Sequence, residues 1–143
     1  MPTSNPVPLT ILLVEDDEVD IMNVKRAFKK NNISNQLIIA HNGIEALEIL
    51  RSDSPDKPKP KIILLDLNMP RMGGIEFLKE IRQDPELNSL FVFVMTTSNE
   101  DSDKIEAFNL NVAGYILKPL SMDKFIAAVS TLNSFWTLCE YPE

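Results

Sequence analysis

The sequence predicts an α/β fold: a single five-stranded parallel sheet, doubly wound as (βα)5, with helices on both faces. Three observations carry this expectation. Short apolar runs alternate with helical patterns five times along the 143 residues. The runs themselves, such as "IILL" from Ile62, are continuously apolar, as in strands buried on both faces. Finally, a strand joined to the next by a crossover helix returns the chain in the same direction, so successive strands lie parallel. The length suits one domain with a substantial core.

Taken in order, "LTILLVE" (9–15), bounded by proline and acids, is the first strand. A helical pattern follows from Asp17, with Val19, Met22, Ala27 and Phe28 expected on its apolar face, and it fades at "KKNNIS". "NQLIIAH" (35–41) is the second strand. The helix "NGIEALEILRS" has Asn42 as N-cap and Glu45 three positions on, resembling a capping box. "DSPDKPKPK" carries Pro55, Pro58 and Pro60, so it is expected to be an extended, exposed connector. "IILLDLN" (62–68) is the third strand and "GIEFLKEIRQ" (74–83) the third helix. "SLFVFVMTT" (89–97), "EDSDKIEAFN" (100–109), "VAGYILK" (112–118) and "MDKFIAAVSTLNSFW" (122–136) complete the alternation.

In open sheets of this kind, sites form beyond the carboxyl ends of the strands. The first strand ends there in Glu15, Asp16 and Asp17, the third in Asp66, the fourth in Thr96 and Thr97, and the fifth in Lys118 and Pro119. His41, the single histidine, ends the second strand and reads as a plain surface residue. Asp17 reads best as a helix cap. Carboxylates gathered at one edge repel one another and call for a cation. With oxygen ligands only and no Cys or His cluster, a hard ion fits, Mg²⁺ better than Ca²⁺. Lys118 and the Thr96 hydroxyl suit an anionic group held between them and the acids. Together these residues describe a phosphoryl site.

Charge and composition narrow the function classes. A net charge of −7 and a pI near 4.7 give the wrong field for nucleic acid. No apolar run approaches the ~20 residues that span a bilayer, and "MPTSNPVPLT" lacks the pattern of a signal peptide. The cytoplasm is the expected location, and the lone Cys139 agrees with a reducing compartment.

The segments "LLVEDD", "LLDLNMPRMGG", "VMTTSN" and "YILKP" together resemble the receiver domain of two-component response regulators, the CheY-like family, from about Leu9 to Asn133. The resemblance implies a flavodoxin-like strand order 2-1-3-4-5. It divides the chain into an N-terminal tail (1–8), the receiver (9–133) and a C-terminal extension of the last helix (134–143). It implies that Asp66 accepts a phosphoryl group from a partner sensor histidine kinase. Asp16 and Asp66 would hold Mg²⁺ with the backbone carbonyl of Asn68, and Glu15 through water. Lys118 would pair with a phosphoryl oxygen, Thr96 would be the switch hydroxyl and Tyr115 the switch aromatic. The bond from Lys118 to Pro119 would be cis. Gly73 departs from the pattern, standing where many receivers have an acid before the glycine matched by Gly74. Two adjacent glycines are expected to make that turn more permissive. Thr97 is larger than usual and is expected to slow the approach of donor or water.

Phe135, Trp136, Leu138 and Tyr141 in "SFWTLCEYPE" concentrate apolar surface near the end. They either extend the last helix against their own domain or form a homodimer contact. Resemblance to the small regulators paired with phytochromes favours the dimer and a phytochrome-type kinase, with output to an unknown downstream protein. On this reading the chain is a switch, not an ordinary enzyme. Two alternatives stand beside it. One is an Asp-nucleophile phosphatase of the haloacid-dehalogenase kind, disfavoured because Asn68 stands where that family has a second acid. The other is a docking module that is never phosphorylated, disfavoured because Asp66 and Lys118 are both present.

Overall fold

The structure, a computed structural model, describes residues 9–57, 59–118 and 121–141. The 1–8 tail, the middle proline of the 53–61 connector and the Lys118–Pro119 bond lie outside the described residues. The elements are β1 (Ile11–Val14), α1 (Glu18–Lys30), β2 (Leu37–Ala40), α2 (Gly43–Leu50), β3 (Ile62–Leu65), α3 (Gly74–Gln83), β4 (Phe91–Thr96), α4 (Asp101–Asn109), β5 (Gly114–Leu117) and α5 (Met122–Leu138). All five strands are parallel in one sheet of order β2-β1-β3-β4-β5. The predicted fold class and strand order are therefore both found.

The period-two alternation of the strands builds two apolar layers. Leu12, Val14, Ile63, Leu65, Val92 and Val94 face α2, α3 and α4, where Leu47, Phe77, Leu78, Ile81 and Ala107 are buried. Ile11, Leu13, Ile62, Leu64, Phe93 and Met95 face α1 and α5. The central strands β1 and β3 are buried along their whole length, which is why they read as unbroken apolar runs.

Each strand is shorter than the sequence suggests, and the residues that leave the ladder include the polar ones at its carboxyl end. The difference places Glu15, Asp66 and Lys118 just past their strands, at the carboxyl edge.

The expected apolar face of α1 needs correction. Ala27 and Phe28 are buried, but Val19 and Met22 are 65% and 57% exposed, and Ile21 and Val24 take their place. Val19, Met22, Ala27 and Phe28 point to scattered directions around a 3.6-residue turn, whereas Ile21, Val24, Ala27 and Phe28 form one stripe. Asp17 caps this helix as predicted, its carboxylate accepting from the Val19 and Asp20 N–H groups at 2.8 and 3.1 Å. Asn42 likewise caps α2 by accepting from the Glu45 N–H at 2.9 Å. Glu45 reaches back to the N–H of His41, not to that of Asn42 itself, so the capping box is shifted by one residue.

α5 runs beyond its predicted end to Leu138. Trp136 is fully buried and its ring meets Phe28 and Phe93, while Phe135 and Tyr141 pack edge-on against Phe91. The Tyr141 hydroxyl donates to the Trp136 carbonyl at 2.8 Å. The end of the chain thus contributes to the α1/α5 layer.

Candidate functional site

The register of the central strands sets Glu15 and Asp66 side by side. Val14 is level with Leu65, and the Asp66 N–H donates to the Val14 carbonyl at 3.0 Å. Both carboxyl groups are buried, while Asp16 next to them is exposed. Oxygens of Glu15, Asp16 and Asp66 lie within 4.8 Å of one another. On the far side, the Lys118 N–H donates to the Thr96 carbonyl at 2.7 Å, which fixes where the lysine leaves the sheet. Its ammonium donates to Glu15 Oε1 at 2.7 Å and to Asp20 Oδ2 at 2.8 Å. A cavity of about 290 Å³ is lined here by Glu15, Asp20, Asp66 and Lys118 together with Leu13, Leu64, Met95 and Phe125.

Burial pushes the Glu15 carboxyl up from its ordinary value of 4.5 to about 7, opposed by the hydrogen bond from Lys118 and reinforced by the charge of Asp66. Lys118 feels burial in the opposite sense, but its bonds to Asp20 and Glu15 outweigh it and leave its pKa raised. The lysine is therefore a fixed cation at neutral pH. The cluster of acids fits a divalent cation, and the fixed ammonium beside it has the charge to pair with an anion.

The model of the response regulator receiver domain matches residues 11–130. The chain belongs to the receiver domain family. The response regulator Rcp1 of Synechocystis sp. is 38% identical to this receiver over 135 residues, which is 93% of this chain and 91% of that protein. The crystal structure of the phosphorylated cyanobacterial phytochrome response regulator RcpA superposes with a TM-score of 0.86 at 31% identity, covering 95% of this chain and 99% of that one. The Mn²⁺-bound form of Rcp1 gives 0.84 at 36% identity, covering 95% and 100%.

The receiver brings together most of the residues singled out in the sequence. Glu15, Asp16, Asp66 and Lys118 form the centre just described. Thr96 is buried at the end of β4, its hydroxyl oxygen accepting from the Ser98 N–H at 3.2 Å. Thr97 is exposed and its hydroxyl oxygen accepts from the Asn68 amide at 3.5 Å, so both lie at the mouth. Tyr115 is half-buried on β5; its hydroxyl donates to the Ser98 carbonyl at 2.9 Å, and burial raises its pKa. His41 is exposed and pairs with Glu45 and Glu18.

Two residues of the site region escaped sequence reasoning. Asp20 lies in the first turn of α1, where an acid is expected for the helix dipole alone. Ser98 is buried between Thr96 and Tyr115, and its hydroxyl donates to Asp103 at 2.5 Å. No local pattern announces contacts made only when α1 and α4 dock on the sheet.

The expected freedom of the Gly73–Gly74 turn is not used. Among the described residues no glycine has a positive φ; Arg71, at 67°, takes the left-handed position instead. Gly74 is needed for space, because a Cβ there would lie 2.6 Å from the Asp66 carbonyl oxygen.

Proposed function

We propose that this receiver is a two-component response regulator that accepts a phosphoryl group on Asp66 from a partner histidine kinase and signals through protein contacts. The observation that carries the reading is the ring around the Asp66 carboxylate: two further acids within reach of one cation, and a lysine ammonium held at the same edge. An Asp66 oxygen would attack the phosphorus of a phosphohistidine, the phosphorus–nitrogen bond would break, and the imidazole would leave with the electron pair and take up a proton. An ionised carboxylate is already a nucleophile, so positioning and charge neutralisation suffice. The donor set of hard oxygens fits Mg²⁺, which Asp16, Asp66 and the Asn68 backbone carbonyl would hold, with Glu15 reaching it through water. When bound, the ion neutralises charge on the transferred phosphoryl group. Lys118 holds a phosphoryl oxygen, Thr96 turns its hydroxyl to the same group and releases Ser98, and Tyr115 follows because it shares that Ser98 anchor.

Similarity to Rcp1 and RcpA supports a phytochrome-type kinase as the donor. Exposed Ile105 and Phe108 on α4, with Phe108 stacked on Tyr115, support a homodimer or target contact through α4, β5 and α5. The acidic charge speaks against nucleic acid as the direct target. Among the described residues no helix is long and apolar enough to cross a membrane, and the reading places the protein in the cytoplasm with its kinase. The chemistry ends with its own phosphorylation and dephosphorylation.

Intact-mass spectrometry after exposure to acetyl phosphate tests the proposal. A Mg²⁺-dependent gain of one phosphoryl group is expected in the wild type and not in Asp66→Asn. Equal gains in both proteins, or none in folded wild type, would overturn it.

A further inference from the structure

Lys118 does not reach toward Asp66 in this structure. Its ammonium is shared between Glu15, which belongs to the acidic cluster, and Asp20, which does not. Asp20 starts from a rigid base: its N–H is held by the Asp17 cap at 3.1 Å, and the adjacent Ile21 anchors the turn in the core. The cap is supplied by Asp17, so Asp20 has no capping duty of its own. The lysine side chain is 11% exposed and that of Asp20 32%, so Asp20 holds the ammonium from the solvent side.

We propose that Asp20 is a positioning residue that keeps Lys118 in reserve, so that a phosphoryl group on Asp66 gains the lysine only by displacing the Asp20 carboxylate. The proposal rests on the phosphoacceptor reading of Asp66. Asp20 lies outside the cluster that contains Asp66, so an ammonium moving to a phosphoryl oxygen there leaves the Asp20 carboxylate, whereas Glu15, inside the cluster, can keep one of its three donors. Asp20 thereby sets how readily the active form is reached: it competes with the phosphoryl group for the same cation. Its position at the rim makes the pair breakable, because a partly exposed ion pair is worth far less than a buried one.

Beryllofluoride, which mimics a phosphoryl group on a carboxylate, probes this directly by calorimetry with Mg²⁺ present. Asp20→Asn should bind it about fivefold more tightly than wild type, the size expected from releasing one partly exposed ion pair. Asp20→Glu, which restores the charge, should return toward wild type. In a Lys118→Ala background the Asp20→Asn change should have no effect, since the competition has lost its object. Equal affinities of wild type and Asp20→Asn would overturn the proposal. So would a fivefold gain that persists without Lys118, for Asp20 would then act only by repelling the anion. Failure of the wild type itself to bind would overturn the reading of Asp66, and this proposal with it.

Discussion

A side chain at position 74 would press on the backbone at Asp66 and Leu67. A Cβ there meets the Asp66 carbonyl at 2.6 Å and Leu67 at 2.7 Å, whereas one at position 73 meets its nearest neighbour at 3.3 Å. Gly74→Ala should therefore lower stability by about 1–3 kcal/mol, the range for overpacking, and Gly73→Ala by clearly less. Urea midpoints of the two variants check this, and equal losses would count against it. Glu15 gives a second prediction at this scale. Folding raises its pKa from 4.5 to about 7, so its contribution to stability is complete below pH 4.5 and is lost as the pH rises through 7. Carboxyl NMR of the metal-free protein should show Glu15 titrating near 7, and saturation with Mg²⁺ should lower that midpoint. An inflection near 4.5 without metal would contradict the burial argument.

At the scale of elements, α5 carries more of the fold than its position near the end implies. Trp136 is buried against Phe28 of α1 and Phe93 of β4, and its indole N–H donates to Asn133 at 3.0 Å. Trp136→Ala should cost about 3–5 kcal/mol, as for other buried aromatics, measurable by thermal or denaturant unfolding; a cost under about 1 kcal/mol would mean that the tail is peripheral. Truncation after Asn133 would remove the same ring, so a loss of dimer in such a protein would not separate interface from stability. Arg82 plays a comparable part across elements. Its guanidinium donates to the carbonyls of Asn88, Leu90, Leu110 and Asn111, tying α3 to the turns before β4 and β5. Burial lowers its pKa, and a lysine could not reproduce this fan of donors.

For the whole molecule, both faces of the sheet are covered by helices that keep some apolar side chains in solvent. α1 and α5 cover one side with a continuous aromatic layer. On that side Val19 and Met22 of α1 and Leu138 of α5 are nevertheless exposed, and on the other α4 buries Ala107 but leaves Ile105 and Phe108 in solvent. Light scattering should find a homodimer in the wild type and a monomer in Phe108→Asp, which places a charge on the apolar surface without touching the core. A dimer unchanged by Phe108→Asp would put the contact elsewhere. The same surface includes Tyr115, so phosphorylation and assembly would share one bistable region.

The sequence by itself determined the fold class, since strict alternation of buried runs and helical patterns admits few arrangements other than a parallel sheet covered on both faces. It also marked which strand ends gather polar groups: Glu15, Asp16, Asp66, Thr96 and Lys118 are legible because each interrupts an apolar run at the same edge. The face of α1 was not legible, because its apolar residues are spread around the helix and only docking on the sheet selects Ile21 and Val24 over Val19 and Met22. Nor was Asp20, whose role depends on a lysine 98 positions away. Nor was the packing of Trp136 in the core of its own domain, which leaves Leu138 beside it exposed. Local pattern fixes periodicity and the residue types at strand ends. Which side chains meet across elements is decided by close packing, and that exists only when the whole chain is folded.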